Sequence, residues 1–197
     1  MKIPVMLVAL FLTLSSASLS TASVIITAVQ QGNDVVFTGS GSINLTGLTL
    51  QYSDSEAYPL AAYVQADDPG LILGSGTGDH YNGISNSPYN FGLGKGATVF
   101  ASAYYGNLFG FDYGQVVVPS GYISGSPLSG TATFDNKTFA DIGITPDTYT
   151  WTVPSGDSIT LKFDSAAVPE PSTYALLSIS LGVVGFARRR MMRSEKR

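Results

Sequence analysis

The 197-residue sequence contains no cysteine. A disulfide scaffold, a thiol nucleophile, a zinc–thiolate or iron–sulfur site and a lipid-modified N-terminal cysteine are therefore excluded. Charged residues are also scarce, at 12% of the chain, whereas about 25% is usual in soluble proteins. The folded surface must therefore consist mainly of serine, threonine, asparagine, glycine and tyrosine. Hydrophobic residues make up 44% of the chain, which argues against intrinsic disorder.

Basic residues are nearly missing from the middle of the chain. Residues 24–168 contain three lysines, no arginine and twelve aspartates and glutamates, which gives a net charge of −9. The formal charge of −4 for the whole chain therefore averages an acidic middle and a basic C-terminus. Binding to nucleic acid requires clustered lysine and arginine, so we expect no nucleic-acid partner.

The N-terminus has the organisation of a secretory signal peptide. Lys2 supplies a positive start, residues 3–14 are almost entirely apolar, and residues 15–23 are almost all small. The apolar run is too short for a permanent membrane anchor, which needs roughly 20 residues. The small-x-small rule fits cleavage by signal peptidase between Ala22 and Ser23, and it fits cleavage after Ser23 nearly as well. We therefore expect residues 1–23 to direct export.

The C-terminus combines an apolar segment with a basic end. Ser172–Ala187 contains no charge, and Arg188, Arg189 and Arg190 end it abruptly. As a helix of 1.5 Å per residue the segment would be about 24 Å long, which is shorter than the ~30 Å hydrocarbon layer. Snorkelling arginines and local thinning of the bilayer can make up the difference. The positive-inside rule places the basic end in the cytoplasm. The sequence therefore predicts a single-pass inner-membrane protein with a transmembrane helix over about 172–187 and its body outside the cytoplasm.

A short proline-containing motif precedes the apolar segment. It consists of Val168, Pro169, Glu170, Pro171 and Ser172. This motif, followed by a short apolar span and an arginine cluster, resembles the PEP-CTERM sorting signal of Gram-negative bacteria that make exopolysaccharide. The resemblance covers about residues 168–197. It implies that the tail is a substrate of exosortase, an integral-membrane cysteine peptidase or transpeptidase, and that the protein travels to the cell surface or extracellular matrix.

Residues 24–167 show the periodicity of β-strands. Short β-branched or aromatic runs alternate with turn residues, and no window shows a sustained helical pattern. The runs are Val24–Val29, Val35–Gly39, Thr98–Ala103, Gln115–Val118, Thr131–Phe134, Thr148–Val153 and Ser158–Phe163. The last two flank a Pro-Ser-Gly-Asp turn and predict a hairpin. We therefore expect one all-β domain, an antiparallel β-sandwich or a jelly roll.

Residues that could carry chemistry are few. The one histidine, His80, follows Asp79 in a glycine-rich stretch that we expect to be a loop. Two other glycine-rich stretches, 74–78 and 92–96, do not complete a phosphate-binding loop. Several acids could offer oxygen ligands to Ca²⁺, but the order of ligands in an EF-hand is absent. These acids are Asp67 and Asp68, Asp54 with Glu56, and Asp79. The sequence therefore predicts no catalytic, cofactor or metal site.

Ten tyrosines lie in the middle segment. Tyrosine can stack on sugar rings while its hydroxyl forms hydrogen bonds, although tyrosines also pack between sheets. Those in polar or glycine-rich surroundings are Tyr81, Tyr89, Tyr104, Tyr105, Tyr113 and Tyr122. We expect a non-enzymatic structural or exopolysaccharide-associated module.

The alternative is a secreted hydrolase that acts on polysaccharide through carboxylates. Its candidate acids are Asp67, Asp68, Asp79 and Asp112. A hydrolase should bring two carboxylates into one cleft, whereas a matrix protein should show scattered acids and an exposed aromatic strip.

Overall fold

The computed structural model describes residues 22–85, 90–92 and 98–164, which form thirteen β-strands and no helix. The strands are β1 Ser23–Gln31, β2 Asp34–Gly41, β3 Thr49–Ser53, β4 Tyr63–Gln65, β5 Gly70–Leu73, β6 Gly78–Asn82, β7 Val99–Phe100, β8 Ala103–Gly106, β9 Phe109–Asp112, β10 Gln115–Pro119, β11 Leu128–Phe134, β12 Thr148–Thr152 and β13 Ser158–Asp164. The predicted all-β fold is confirmed. The signal segment 1–21 and the sorting segment 168–197 lie outside the described residues.

Sheet I contains six strands in the order β12-β13-β1-β2-β11-β8. Hydrophobic residues alternate with polar ones along these strands, so one face is buried and the other meets solvent. The predicted hairpin is β12–β13, in which Trp151 pairs with Ile159. This hairpin adds to the free edge of β1, and β1 and β13 therefore pair in parallel. The other pairs of described strands are antiparallel, as expected of an antiparallel sandwich.

Sheet II contains seven antiparallel strands in the order β3-β6-β10-β9-β5-β4-β7. The predicted strand Thr98–Ala103 is divided by the structure. Val99 and Phe100 belong to β7 in sheet II, whereas Ala103 begins β8 in sheet I. Between them the chain changes sheets, and the amide of Ser102 already donates to the carbonyl of Thr133 on β11.

Aromatic side chains fill the space between the two sheets. The ring of Trp151 from sheet I stacks on Phe111 from sheet II, with centroids 3.9 Å apart. Phe91 meets both rings at steep angles, with centroids 5.9 Å and 5.7 Å away. Such aromatic contacts stabilise beyond the area they bury, by about 0.5–1.5 kcal/mol each. The sheets therefore form a sandwich with a continuous aromatic core.

Glycine allows the sheets to approach closely at one position. A Cβ atom on Gly39 of β2 would lie 2.6 Å from Leu73 Cδ1 and 2.9 Å from Phe109 Cζ. Both of these contacts come from sheet II. A side chain at position 39 would therefore push the sheets apart or displace buried side chains.

We predict that Gly39→Ala destabilises the protein by about 1–3 kcal/mol, the usual cost of overpacking a core. The measurement is urea unfolding followed by tryptophan fluorescence, since Trp151 is buried in this core. Ser40→Ala is the matched control, because Ser40 is exposed on the opposite face of the same strand and should change stability by less than about 0.5 kcal/mol. Equal stability of both variants would contradict the close approach.

Candidate functional site

One row of residues crosses the whole outer face of sheet II. Residues paired across neighbouring strands share a face, so the register defines the row. In strand order it is Tyr52, His80, Val117, Gly110, Ile72, Tyr63 and Phe100. The row is apolar in its centre and aromatic at both ends.

The segment 54–62, which joins β3 to β4, covers the centre of this row. Leu60 packs against a buried outer cluster of Tyr63, Ile72, Leu108 and Val117. At one end of the segment the Gly78 amide donates to Asp54 Oδ2 over 2.9 Å. At the other end Leu60 and Gly76 exchange two backbone hydrogen bonds. Sheet II is therefore buried on both faces near its middle.

His80 lies inside β6 and not in a loop, which corrects the expectation from sequence. Its side chain is 2% exposed, and Nε2 lies 3.2 Å from Asp54 Oδ1. Tyr52 stacks on the imidazole with ring centroids 4.2 Å apart. Among the described residues Nδ1 has no hydrogen-bond partner. The histidine therefore holds segment 54–62 on the sheet and forms no Ser-His-Asp arrangement with a described serine.

An open cleft of about 430 Å³ lies between segment 54–62 and the β4–β7 edge. Its described lining includes four aromatic rings, those of Tyr58, Tyr63, Phe100 and Tyr113, and the polar side chains of Gln65 and Thr98. Tyr58, Phe100 and Tyr113 are 81%, 65% and 62% exposed. Thr98 Oγ1 donates to Gln65 Oε1 over 2.9 Å. The cleft thus presents exposed ring faces beside an amide and a hydroxyl.

Tyr113 adopts a backbone conformation that is rare for a large side chain. Its φ is 47°, and Gly114 beside it has a φ of 73°. These two residues form the tight turn between β9 and β10, where asparagine or glycine is the usual first residue. A bulky residue with positive φ is strained, and such strain often marks a functional position. Here the turn carries the exposed ring of Tyr113 into the cleft wall.

Asp112 lies next to the cleft, between two of its lining residues. It precedes Tyr113, and its carboxylate interacts with the Tyr63 hydroxyl. The side chain is only 8% exposed, and Oδ1 has no hydrogen-bond partner among the described residues. A Cβ on Gly70 would lie 2.9 Å from Oδ1, so glycine makes room for this carboxylate.

Several charges act on Asp112. Burial is the largest effect and raises the pKa of its carboxyl above the ordinary value. The hydrogen bond from the Tyr63 hydroxyl and the charge of His80 lower this pKa, whereas the charges of Asp68 and Asp54 raise it further. Burial, and then the carboxylate of Asp112, raise the pKa of the Tyr63 hydroxyl as well. Asp112 is therefore an acidic group that ionises less readily than a free aspartate.

The other candidate acids do not enter the cleft lining. Asp67 is exposed in the turn between β4 and β5. Asp79 has a structural role, because it accepts hydrogen bonds from Ser53 Oγ at 2.6 Å and from the Gly121 amide at 2.9 Å. In the part of the chain that the structure describes, no three histidine or acidic residues are grouped to hold a metal ion.

Residues 167–190 match the family model of the PEP-CTERM protein-sorting motif. The chain carries a PEP-CTERM sorting signal. Such a signal implies exosortase-type processing of a membrane-associated protein in transit to the cell surface. Comparisons with curated proteins and with solved structures gave no match.

The PEP-CTERM motif and the predicted span over about 172–187 both lie outside the described residues. Within 22–85, 90–92 and 98–164, no helix is long and apolar enough to cross a membrane. The evidence for a functional site therefore comes from the β-sandwich body.

The tyrosines chosen from the sequence of the PEP-CTERM protein have different surroundings. Tyr113 lines the cleft, and Tyr105 is 74% exposed on β8 of sheet I. Tyr122 is structural, because its hydroxyl accepts from the Ile43 amide and donates to the Ser126 carbonyl. Tyr81 is half-buried against the core, Tyr104 is on the edge strand β8, and Tyr89 lies outside the described residues. Sequence reasoning missed Tyr58 and Phe100, because their neighbours in the chain are apolar and nothing there marks either ring as exposed.

We predict that Asp112→Asn stabilises the protein at neutral pH. Because the folded pKa is raised, the native state holds a proton more tightly than the unfolded state, and stability falls as pH rises from the unfolded pKa through the folded pKa. Asparagine keeps an oxygen that accepts a hydrogen bond from Tyr63, and because it cannot ionise it removes this loss of stability at high pH. Denaturant unfolding across the pH range should show a gain at pH about 7 that vanishes near pH about 3.

The control for this experiment is Asp67→Asn, which removes the same charge from an exposed position. It should show no comparable gain at neutral pH. Parallel stability curves for wild type and Asp112→Asn at all pH values would contradict the buried-carboxylate interpretation.

Proposed function

We propose that residues 22–164 form a non-enzymatic module that binds polysaccharide in the aromatic cleft at the cell surface. The observation that carries the proposal is the exposure of Tyr58, Phe100 and Tyr113 around one cleft. The apolar faces of sugar rings pack on aromatic rings, while their hydroxyls need polar partners. Gln65 and Thr98 supply such partners beside the rings.

The strained turn at Tyr113 supports the same proposal. A glycine or asparagine would relieve the strain at this position, yet a tyrosine occupies it and exposes its ring. A purely structural turn gains nothing from that ring, because 62% of the residue surface remains exposed. Contact with a ligand gives the ring a role.

The competing proposal is a polysaccharide hydrolase in which Asp112 is the general acid. Its raised pKa favours this role, as in glycosidases that keep one carboxyl protonated. Glycoside hydrolysis requires a second carboxylate across the scissile bond. None of the described residues that line the cleft is an aspartate or glutamate, and Asp79 is engaged in structural hydrogen bonds. We therefore favour binding, and release of reducing sugar from a bound polysaccharide would reverse the preference.

The export route completes the proposal. Signal peptidase would cleave between Ala22 and Ser23, and β1 begins at Ser23, so this cleavage leaves every strand intact. The tail would span the inner membrane once, with Arg188, Arg189 and Arg190 on the cytoplasmic side. Asp164 ends β13, and a fully extended chain from there to Pro169 reaches at most about 17 Å. The body would thus lie close to the membrane until exosortase acts.

We predict that Tyr58→Ala and Phe100→Ala each weaken polysaccharide binding by about three- to tenfold, as expected for the loss of one stacking ring. The full-length protein, in a polyoxyethylene detergent that contains no sugar, is tested by affinity electrophoresis in gels containing a neutral β-glucan or chitosan. Tyr105→Ala is the matched control, since Tyr105 is equally exposed on sheet I. Unchanged migration of both cleft variants in a gel that retards wild type would refute the cleft assignment.

We also predict that replacing Pro169, Glu170 and Pro171 together by alanine blocks processing. The proline pair favours the extended backbone that peptidases bind, and alanines would let this stretch join the following helix. Mass spectrometry of the surface fraction should show no mature C-terminus in the variant. A truncation after Ala167 serves as control and should be found free of the inner membrane. The same mature C-terminus in wild type and triple variant would contradict the role of the motif.

A further inference from the structure

The aromatic cleft contains no positive side chain among its described lining residues. Lys95 lies in the stretch 93–97, outside the described residues. Asp112 lies beside the lining residues Tyr63 and Tyr113, and its carboxylate is within electrostatic range of Asp54 and Asp68. The surroundings of the cleft are therefore acidic.

The Asp112 carboxylate is not neutralised within the fold. Among the residues that the structure describes, Oδ1 is buried without a hydrogen-bond partner, and no lysine or arginine contributes to its electrostatic environment. His80 is the one described group that could bring positive charge, and only when protonated. A charge surrounded by low-dielectric protein is screened less than a surface charge, so its field extends into the adjacent cleft. A ligand can experience this field without touching the carboxylate.

The aromatic rings act in the same direction. The faces of tyrosine and phenylalanine carry negative electrostatic potential and attract cations. Three such rings are more than half exposed in the cleft: Tyr58, Phe100 and Tyr113. The body as a whole carries three lysines against twelve acids over residues 24–168, so a polyanion would be repelled at long range.

We propose that the cleft selects polysaccharides with free amino groups, such as partly deacetylated amino-sugar polymers, over neutral or anionic ones. The aromatic rings stack on the sugar faces, and the ammonium groups lie in the field of Asp112, Asp68 and Asp54. The inference rests on the proposed function, because it names the ligand class of the same cleft.

The test compares two ligands that share one backbone, the β-1,4-linked hexamers of glucosamine and of N-acetylglucosamine. Isothermal titration calorimetry uses the full-length protein in polyoxyethylene detergent at pH about 6, where amino-sugar amines are largely protonated. We expect the glucosamine hexamer to bind at least about tenfold more tightly, and this preference to shrink at high salt. Equal affinity for the two hexamers overturns the proposal.

Asp112→Asn should reduce the preference to about threefold or less without weakening binding of the N-acetylated hexamer. Asp68→Asn is a second variant with the same expectation. Asp147→Asn, before β12 of sheet I, removes one charge elsewhere and should leave the preference unchanged. If Asp147→Asn reduces the preference as much as Asp112→Asn does, general attraction to an acidic protein explains the result and the proposal fails.

Two further variants separate the failure of this inference from failure of the proposed function. If Tyr58→Ala weakens both hexamers equally and wild type shows no preference, the cleft binds sugar and only the choice of amino sugars is wrong. If neither hexamer nor a neutral glucan binds wild type, the proposed function itself fails. Lys95→Gln should raise or leave unchanged the affinity for the glucosamine hexamer, and a large loss would contradict the acidic character of the cleft.

Discussion

Sheet II is buried on both faces near its middle, and the candidate site depends on this constraint. One face packs against sheet I, and segment 54–62 covers the other through Leu60 and the backbone pairing with Gly76. Burying one aliphatic side chain completely contributes about 1.5–3 kcal/mol to folding. By covering Ile72 and Val117, segment 54–62 is therefore held firmly on the sheet. The same segment supplies Tyr58 to the cleft wall and Asp54 to His80.

This double burial also determines the electrostatics. Asp112 is on the outer face of sheet II and would be hydrated on an ordinary exposed sheet. With Tyr63 and Gly70 packed around it, it loses most of its water, and its pKa rises. The packing that stabilises the fold therefore creates a buried carboxylate directly before Tyr113 in the chain, whose ring is exposed in the cleft.

The sequence predicts sheet I much better than sheet II, for a physical reason. Strands of sheet I have one solvent-exposed face, and the resulting alternation of polar and apolar residues is visible in Ser158–Asp164 and Asp34–Gly41. β5 is buried on all four residues and shows no alternation, and β9 is the same. β6 begins with Gly78, Asp79 and His80, residue types that are typical of loops. Its strand conformation is stabilised by tertiary contacts and not by strand propensity, so the sequence did not reveal it.

The cleft was predictable only in part. Asp112 and Tyr113 could be chosen as candidates from their residue types, but the sequence could not single out Asp112 from the other acids. That distinction depends on strand order, since β4 brings Tyr63 and β5 brings Gly70 next to β9 only in the folded sheet. Tyr58 and Phe100 are 42 positions apart in the sequence and meet in one cleft because β7 pairs with β4.

The two outer faces of the sandwich differ in chemistry, and this difference bears on how a sorted protein would meet its surroundings. The outer row of sheet I is Thr148, Lys162, Thr27, Thr38, Thr131 and Tyr105, so it is hydroxyl-rich and includes a cation. Sheet II instead presents the aromatic cleft, with the buried Asp112 beside it. β13, which leads to the sorting motif, lies inside sheet I between β12 and β1 and ends at Asp164, before residue 167 where the motif begins. Loss of the residues from 167 onward would therefore remove none of the described strands, and the cleft lies on the opposite sheet.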